Sequence, residues 1–269
     1  DLYEEAATPW EWHADLFAEA RRLEIDCFST PFDASAVDFL EQFNPPAHKV
    51  ASFELIDYAL LRKVAATSRP VILSTGMATL EEITEAVGAL KEAGCREFAL
   101  LKCTSSYPAP AEEANLRTIP HLASTFRCPV GLSDHTLGIA CPVVAVALGA
   151  CLIEKHFTLS RKTPGPDSAF SLEPDEFAEM VRAIRVAEAA LGSVHYGLSP
   201  AEEKSRVFRR SLFAVAEIAT GEPFTEHNVR SIRPGHGLPP KELPKLLGKR
   251  AARAIRRGEP LSWDCVERE

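Results

Sequence analysis

The chain has 269 residues, 46% of them hydrophobic and 25% charged, the composition of an ordinary globular protein with room for one large domain and a small one. No apolar run approaches the length of a bilayer span and the first residues lack a secretory signal pattern, so no membrane partner and a cytoplasmic location are expected. The net charge of −8 argues against a general nucleic-acid binder, and seven scattered cysteines without a CxxC pair predict buried, reduced thiols.

In chain order, Trp10 to Leu23 predicts an amphipathic helix and Ile25 to Thr30 a strand. Asp33 to Phe43 predicts a short helix opened by an Asp-x-Ser cap, then His48 to Phe53 a strand and Leu55 to Thr67 a helix. Pro70 to Thr75 reads as a strand ending at Gly76. Thr79 caps a helix from Leu80 to Ala93, with Glu82 completing a capping box. Glu97 to Cys103 is a strand and Glu112 to Thr125 mainly helix. Cys128 to Leu132 and Cys151 to Ile153 are strands around a helical Leu137 to Ala150, and Pro174 to Leu191 is a long helix. Six short apolar strands alternating with helices require a parallel sheet or barrel, with strands covered on both faces. That is two units short of a (β/α)8 barrel, so the sequence reads as a TIM barrel lacking its N-terminal two βα units.

A polar stretch containing Ser199-Pro200 predicts a linker at residues 193–208, between a barrel domain at 1–192 and a small β-rich domain at 209–269. The small domain holds an internal repeat. Ile218-x-x-Gly221-Glu222-Pro223-Phe224-Thr225 returns 37 residues later as Ile255-x-x-Gly258-Glu259-Pro260-Leu261-Ser262, and Val229 is matched by Val266. Each copy reads as a strand end, a tight turn and a hydroxyl cap, which predicts a pseudo-symmetric module. From Arg209 onward twelve Lys or Arg face eight acids, a net of +4, leaving −12 on the rest. Such a basic tail on an acidic body fits contact with something anionic or a solvated surface equally well.

Two histidines stand out. His135, in Gly131-Leu132-Ser133-Asp134-His135-Thr136, and His156, in Glu154-Lys155-His156-Phe157, each follow a buried strand. In a parallel α/β fold the carboxyl ends of neighbouring strands lie side by side where sites are built, and two neutral imidazoles there suit a divalent metal with open positions. Either histidine alone would more readily serve a loop hydrogen bond. Lys49 offers a point charge, and Thr30, Ser52, Ser105 and Ser133 offer hydroxyl donors on the same face, together a site for a phosphate-bearing substrate. Any one of these hydroxyls could instead be a cap or turn residue.

The motifs Lys49-Val50-Ala51-Ser52-Phe53-Glu54, Leu73-Ser74-Thr75-Gly76-Met77 and Cys103-Thr104-Ser105-Ser106-Tyr107-Pro108 occur in order, followed by the two histidine motifs, Gly165-Pro166-Asp167 and Arg233-Pro234-Gly235. This series resembles the sialic acid synthase family, the nonulosonic acid synthases. It is most similar to the pseudaminic acid branch, through Thr8-Pro9-Trp10-Glu11-Trp12-His13, Ser105 to Pro110, Phe170 to Pro174 and Ser205-Arg206-x-Phe208-x-Arg210-Ser211.

The resemblance implies a TIM barrel followed by an antifreeze-like SAF (β-clip) domain, in a domain-swapped homodimer whose small domain covers the partner's barrel. It implies a transferase that joins phosphoenolpyruvate to 2,4-diacetamido-2,4,6-trideoxy-altrose, releasing phosphate and forming pseudaminic acid. An N-acetylneuraminate or legionaminate synthase, using an N-acetylmannosamine-type sugar, is the alternative. His135 and His156 match the ligands of Mn2+ or Mg2+. Thr30, Lys49, Ser52, Ser105 and Ser133 match positions around phosphoenolpyruvate, and Tyr107, Glu154 and Asp167 positions around the sugar, with Lys49, Glu154 and Tyr107 as the catalytic set. Arg233 matches the arginine that the partner's small domain inserts. A glutamate and a lysine of the family's first strands have no counterpart here, so the chain is expected to be a fragment of the full enzyme. A non-catalytic carbohydrate- or ice-binding protein is the remaining reading, disfavoured by the basic stretch from Arg233 to Arg257.

Overall fold

The computed structural model describes residues 7–163 and 165–268, and the chain divides into two compact units, Asp1–Gly192 and Ser193–Glu269. In the first unit five parallel strands pair in strictly sequential order: β1 (His48–Val50), β2 (Val71–Ser74), β3 (Phe98–Cys103), β4 (Val130–Asp134) and β5 (Ile153–Lys155). Sequential order without a reversal belongs to a sheet curling into a barrel, not to a doubly wound sheet. The helices are α1 (His13–Arg22), α2 (Ala34–Glu41), α3 (Tyr58–Ala65), α4 (Leu80–Glu92), α5 (Thr118–Phe126), α6 (Ala140–Ala147) and α7 (Pro174–Leu191). Val50, Val71, Leu73, Leu100, Val130 and Leu132 join residues of α3, α4 and α5 in one buried cluster between sheet and helices.

The helix starts follow local rules. Asp33 accepts from Ala36 N, Asp57 from Leu60 N, and Thr79 with Glu82 makes both bonds of the expected capping box. Asp57 caps α3 three residues later than expected, because the chain after β1 first makes a 3-10 turn at Ser52–Glu54.

Two expectations need correction. Ile25 to Thr30 is not a strand of the sheet: among the described residues its contact with β1 is one long backbone bond, Lys49 N to Ser29 O at 3.4 Å, and Ile25, which bonds back to the Ala20 carbonyl, is 62% exposed. A strand needs a ladder of such bonds, and one contact does not register it. Among the described residues five strands, not six, therefore form the sheet. In addition, β4 and β5 each run two residues beyond their apolar runs. Ser133, Asp134, Glu154 and Lys155 are thus strand residues that alternate between the two faces, and His135 and His156 follow directly.

In the second unit β6 (Ser211–Ala214) pairs antiparallel with β7 (Val229–Ile232), and α8 (Leu243–Leu246) is a single turn. The repeat is visible as paired hydrogen bonds. Ile218 and Ile255, equivalent residues, exchange backbone bonds of 2.9 Å in both directions, as a local two-fold axis requires. Ala214 N to Glu259 O (3.0 Å) is mirrored by Ala251 N to Glu222 O (2.9 Å), and Gly258 N to Ala214 O (2.8 Å) by Gly221 N to Ala251 O (2.7 Å). Gly221 and Gly258 share positive φ, 78° and 86°, which other residues adopt only with strain. Ile218, Phe224, Ile255 and Leu261 fill a core of their own.

Candidate active site

Parallel register decides which side chains share a face. Lys49 lies beside Ile72, Ser74 beside Leu101, Cys103 beside Ser133, and Ser133 beside Glu154. Period-two alternation then puts Lys49, Ser74, Cys103, Ser133 and Glu154 on the face opposite the helix-packed cluster. The sheet is curled enough for its two outermost strands to meet over that face. Lys49 Nζ on β1 reaches Glu154 Oε2 on β5 at 3.3 Å, while Ser133 Oγ donates to Glu154 Oε1 at 2.6 Å.

A second group lies at the strand ends. Ser52 Oγ accepts from Gly76 N at 3.0 Å, and Ser105 Oγ sits 3.7 Å from Cys103 Sγ. A Cβ on Gly76 would lie 2.1 Å from Ser105 Oγ and 2.8 Å from Ser52 Oγ, so only glycine allows the two hydroxyls to approach here. Ser74 Oγ is buried with no hydrogen-bond partner among the described residues, an arrangement that costs about 1–3 kcal/mol and suits a group awaiting a ligand oxygen.

The histidines form the third group. The His135 and His156 rings lie 5.1 Å apart between centroids, with Tyr107 4.4 Å from His135 and Phe170 4.9 Å from His156. His135 Nδ1 is 3.1 Å from the Thr104 carbonyl, and His156 Nδ1 is 3.4 Å from Asp167 Oδ2. Burial alone would lower His135, but Cys103 Sγ at 3.8 Å and the Thr104 carbonyl raise it above its ordinary value. Burial also pushes the Cys103 thiol up, yet His135, Ser52 and Ser105 outweigh it and bring the thiol down to about 7. His156 is lowered by burial, with Asp167 opposing.

These rings fit a divalent metal. With the Thr104 carbonyl as acceptor at Nδ1, a neutral His135 places its N–H there and leaves Nε2 with the lone pair a metal needs, while His156 has the Asp167 carboxylate near its Nδ1. Among the described residues no cluster of three or more His, Cys, Asp or Glu surrounds one position.

The structure thus brings Lys49, Ser52, Ser105, Tyr107, Ser133, Glu154, Asp167, His135 and His156 into three adjoining groups in the first unit. Thr30 is half-buried and follows directly on Ser29, whose carbonyl meets β1. Arg233 stands in the second unit, exposed, directly after β7. Ser74, Gly76, Cys103 and Phe170 were not singled out from sequence. All four stand inside motifs quoted above, where alternation along β2 and β3 would have found Ser74 and Cys103.

Among the described residues no helix is long and apolar enough to cross a membrane. Residues 1–196 match the NeuB family and residues 209–267 the SAF domain. Pseudaminic acid synthase from Helicobacter pylori is 44% identical over 100% of this chain and 79% of that protein, and its namesake from Campylobacter jejuni 48% identical over 97% and 76%. An N,N'-diacetyllegionaminic acid synthase from Campylobacter jejuni is 40% identical over 92% and 75%. The crystal structure of a spore coat polysaccharide biosynthesis protein from Bacillus subtilis superposes with a TM-score of 0.66 at 37% identity, covering 98% of this chain and 79% of that one. On family match, relatives and fold together, the chain belongs to the NeuB family and carries a SAF domain in residues 209–267.

Proposed function

We propose that the protein is a cytoplasmic pseudaminic acid synthase, a transferase that condenses phosphoenolpyruvate with 2,4-diacetamido-2,4,6-trideoxy-altrose and releases phosphate. The observation that carries this reading is the identity of 44% and 48% to two pseudaminic acid synthases, against 40% to a legionaminic acid synthase from one of the same organisms.

The site supports a division of labour. Lys49 and the hydroxyls of Ser52, Ser74, Ser105 and Ser133, joined by Thr30, hold the phosphate end, because an ammonium and several O–H donors match its oxygens. The phosphate competes with Glu154 for Lys49, so binding frees Glu154 Oε2 to accept from a sugar hydroxyl. Tyr107 and Asp167, which flank the two histidines, orient the sugar beside them. His135 and His156 hold Mn2+ or Mg2+, which supplies Lewis-acid polarisation of the sugar aldehyde when bound. The enol carbon attacks that aldehyde carbon, water adds at C2, and C–O cleavage releases phosphate, with Lys49 and the hydroxyls keeping the phosphate in place. Arg233 would reach a neighbouring subunit's site in a homodimer, and the basic stretch from Arg233 to Arg257 suits a cover over anionic substrate and product.

The test is phosphate release by the protein with phosphoenolpyruvate and each candidate sugar. Release with the diacetamido trideoxy altrose is expected; release with N-acetylmannosamine but not with that sugar would move the protein to the neuraminate or legionaminate branch.

A further inference from the structure

We propose that Asp134 and Lys155 are positioning residues whose buried ion pair, cross-strand between β4 and β5, sets the separation of His135 and His156. This rests on the reading of those histidines as a metal pair.

Three observations carry it. First, the pair sits where an ion pair is least expected. Asp134 and Lys155 are register partners on the helix-facing side of the sheet, in line with Val130, Leu132 and Ile153, which belong to the apolar cluster. Their side chains are 2% and 1% exposed, and Lys155 Nζ lies 2.6 Å from Asp134 Oδ2. Removing two charges from water costs several kcal/mol per ion, and a buried pair often contributes no more stability than apolar residues of the same size. Stability alone is therefore a poor reason for this pair, and conformational definition a better one.

Second, the pair immediately precedes both ligand candidates. Asp134 is the last residue of β4 and Lys155 the last of β5, and His135 and His156 come next in each chain. Fixing those two residues fixes where both imidazoles leave the sheet.

Third, the network also grips the far side of His135. Lys155 Nζ donates to the Thr136 carbonyl, while Asp134 accepts from Thr136 N at 3.1 Å and from Thr136 Oγ1 at 3.2 Å. His135 is thus held from the residue before and the residue after, by atoms belonging to the strand that carries His156. Neither Asp134 nor Lys155 is on the substrate-facing side, so both act only through the histidines.

The experiment uses the whole chain and Mn2+ alone, read by calorimetry and electron paramagnetic resonance, with melting of the metal-free protein alongside. The double variant Asp134→Asn, Lys155→Met leaves no unpaired buried charge and keeps an acceptor for Thr136 N, but loses the cross-strand ion pair. It is expected to melt close to wild type, bind Mn2+ about 10–100-fold more weakly and show an altered Mn2+ signal. Lys155→Arg, which keeps the charge, is expected to recover part of the affinity. Should the double variant not fold, Thr136→Val trims only the hydroxyl bond and is expected to weaken Mn2+ about twofold to threefold, within the smaller range of a single neutral hydrogen bond. Wild-type Mn2+ affinity in the folded double variant, or in Thr136→Val where that variant is needed, overturns the proposal. The control is His135→Ala, His156→Ala. If it loses Mn2+ while the ion-pair variant binds as wild type, the positioning role alone fails; if it binds as wild type, the metal reading fails and the positioning role with it.

Discussion

The two units spend their polar groups differently. In the second, the repeat closes on itself: equivalent backbone groups bond across a local two-fold, and Glu222 and Glu259 each accept from a backbone N–H, of Ala219 and Arg256, at the turn they close. In the first, polar side chains collect on the face away from the helices, the Asp134–Lys155 pair apart. They bond to one another at Lys49, Glu154 and Ser133, or, at Ser74, to nothing among the described residues. Polar groups absorbed by the backbone build a scaffold, whereas polar groups left facing each other over a curled sheet are available for chemistry. The difference separates architecture from function within one chain.

Five measurements would break or sharpen that contrast. The largest effect should come from the histidines. Treating the enzyme with a chelator, or changing both His135 and His156 to Ala, is expected to lower kcat/KM about 1000-fold or more, since the lost Lewis acid supplies several kcal/mol. Mn2+ should restore the chelated wild type and not the variant; activity that survives chelation would remove the metal from the reaction.

Next, Ile218→Ala and Ile255→Ala should each destabilise the second unit by about 2–5 kcal/mol, because both leave a cavity in a closed core. The two-fold predicts similar losses in urea unfolding. A large difference between them would show that the symmetry of the bonds is not a symmetry of energy.

Gly76→Ala comes third. Its Cβ collides with the hydroxyls of Ser52 and Ser105, so KM for phosphoenolpyruvate should rise along with a stability loss of about 1–3 kcal/mol. Gly221→Ala meets no neighbour but has φ of 78°, so it should cost about 1–2 kcal/mol through backbone strain and leave KM unchanged. Equal KM values in the two variants would dissolve the distinction between site and scaffold.

Ser74→Ala removes an unpaired buried hydroxyl. It should raise stability by up to about 1 kcal/mol while weakening phosphoenolpyruvate binding, and a stability loss would mean that the hydroxyl already has a structural role.

The smallest effect is electrostatic. The Arg161 guanidinium at Glu176 holds that carboxyl down at about 2, below its ordinary 4.5. A depressed carboxylate stabilises the fold above its unfolded value, and the contribution disappears as pH falls from 4.5 through about 2. Arg161→Gln should therefore melt slightly below wild type at neutral pH, and the gap should close in acid. Both groups are at the surface, so high salt should shrink the gap as well.

Much of this was legible beforehand because it is local. The Thr79 to Glu82 capping box, the Asp33 cap and the start of α7 at Pro174 involve residues within a few positions of one another. The repeat in the second unit was readable for the same reason, since two copies of one turn announce themselves in one dimension. Strand ends were read less well. Apolar runs suggested that β4 stops at Leu132 and β5 at Ile153, whereas pairing carries both through charged residues. Lys155 can be buried in a strand because Asp134 lies opposite, 21 positions away, and no window along the chain contains that fact.

By itself, the sequence determined the alternation of strands and helices, the placing of both histidines after strands, the repeat and the family. These depend on periodicity and short motifs, which neighbouring residues carry. The tertiary structure decided which side chains share a face, that the sheet curls until Lys49 meets Glu154, that Ile25 to Thr30 does not register as a strand, and that an ion pair lies behind the histidines. Those outcomes depend on register and curvature, which arise only when distant strands exchange backbone hydrogen bonds.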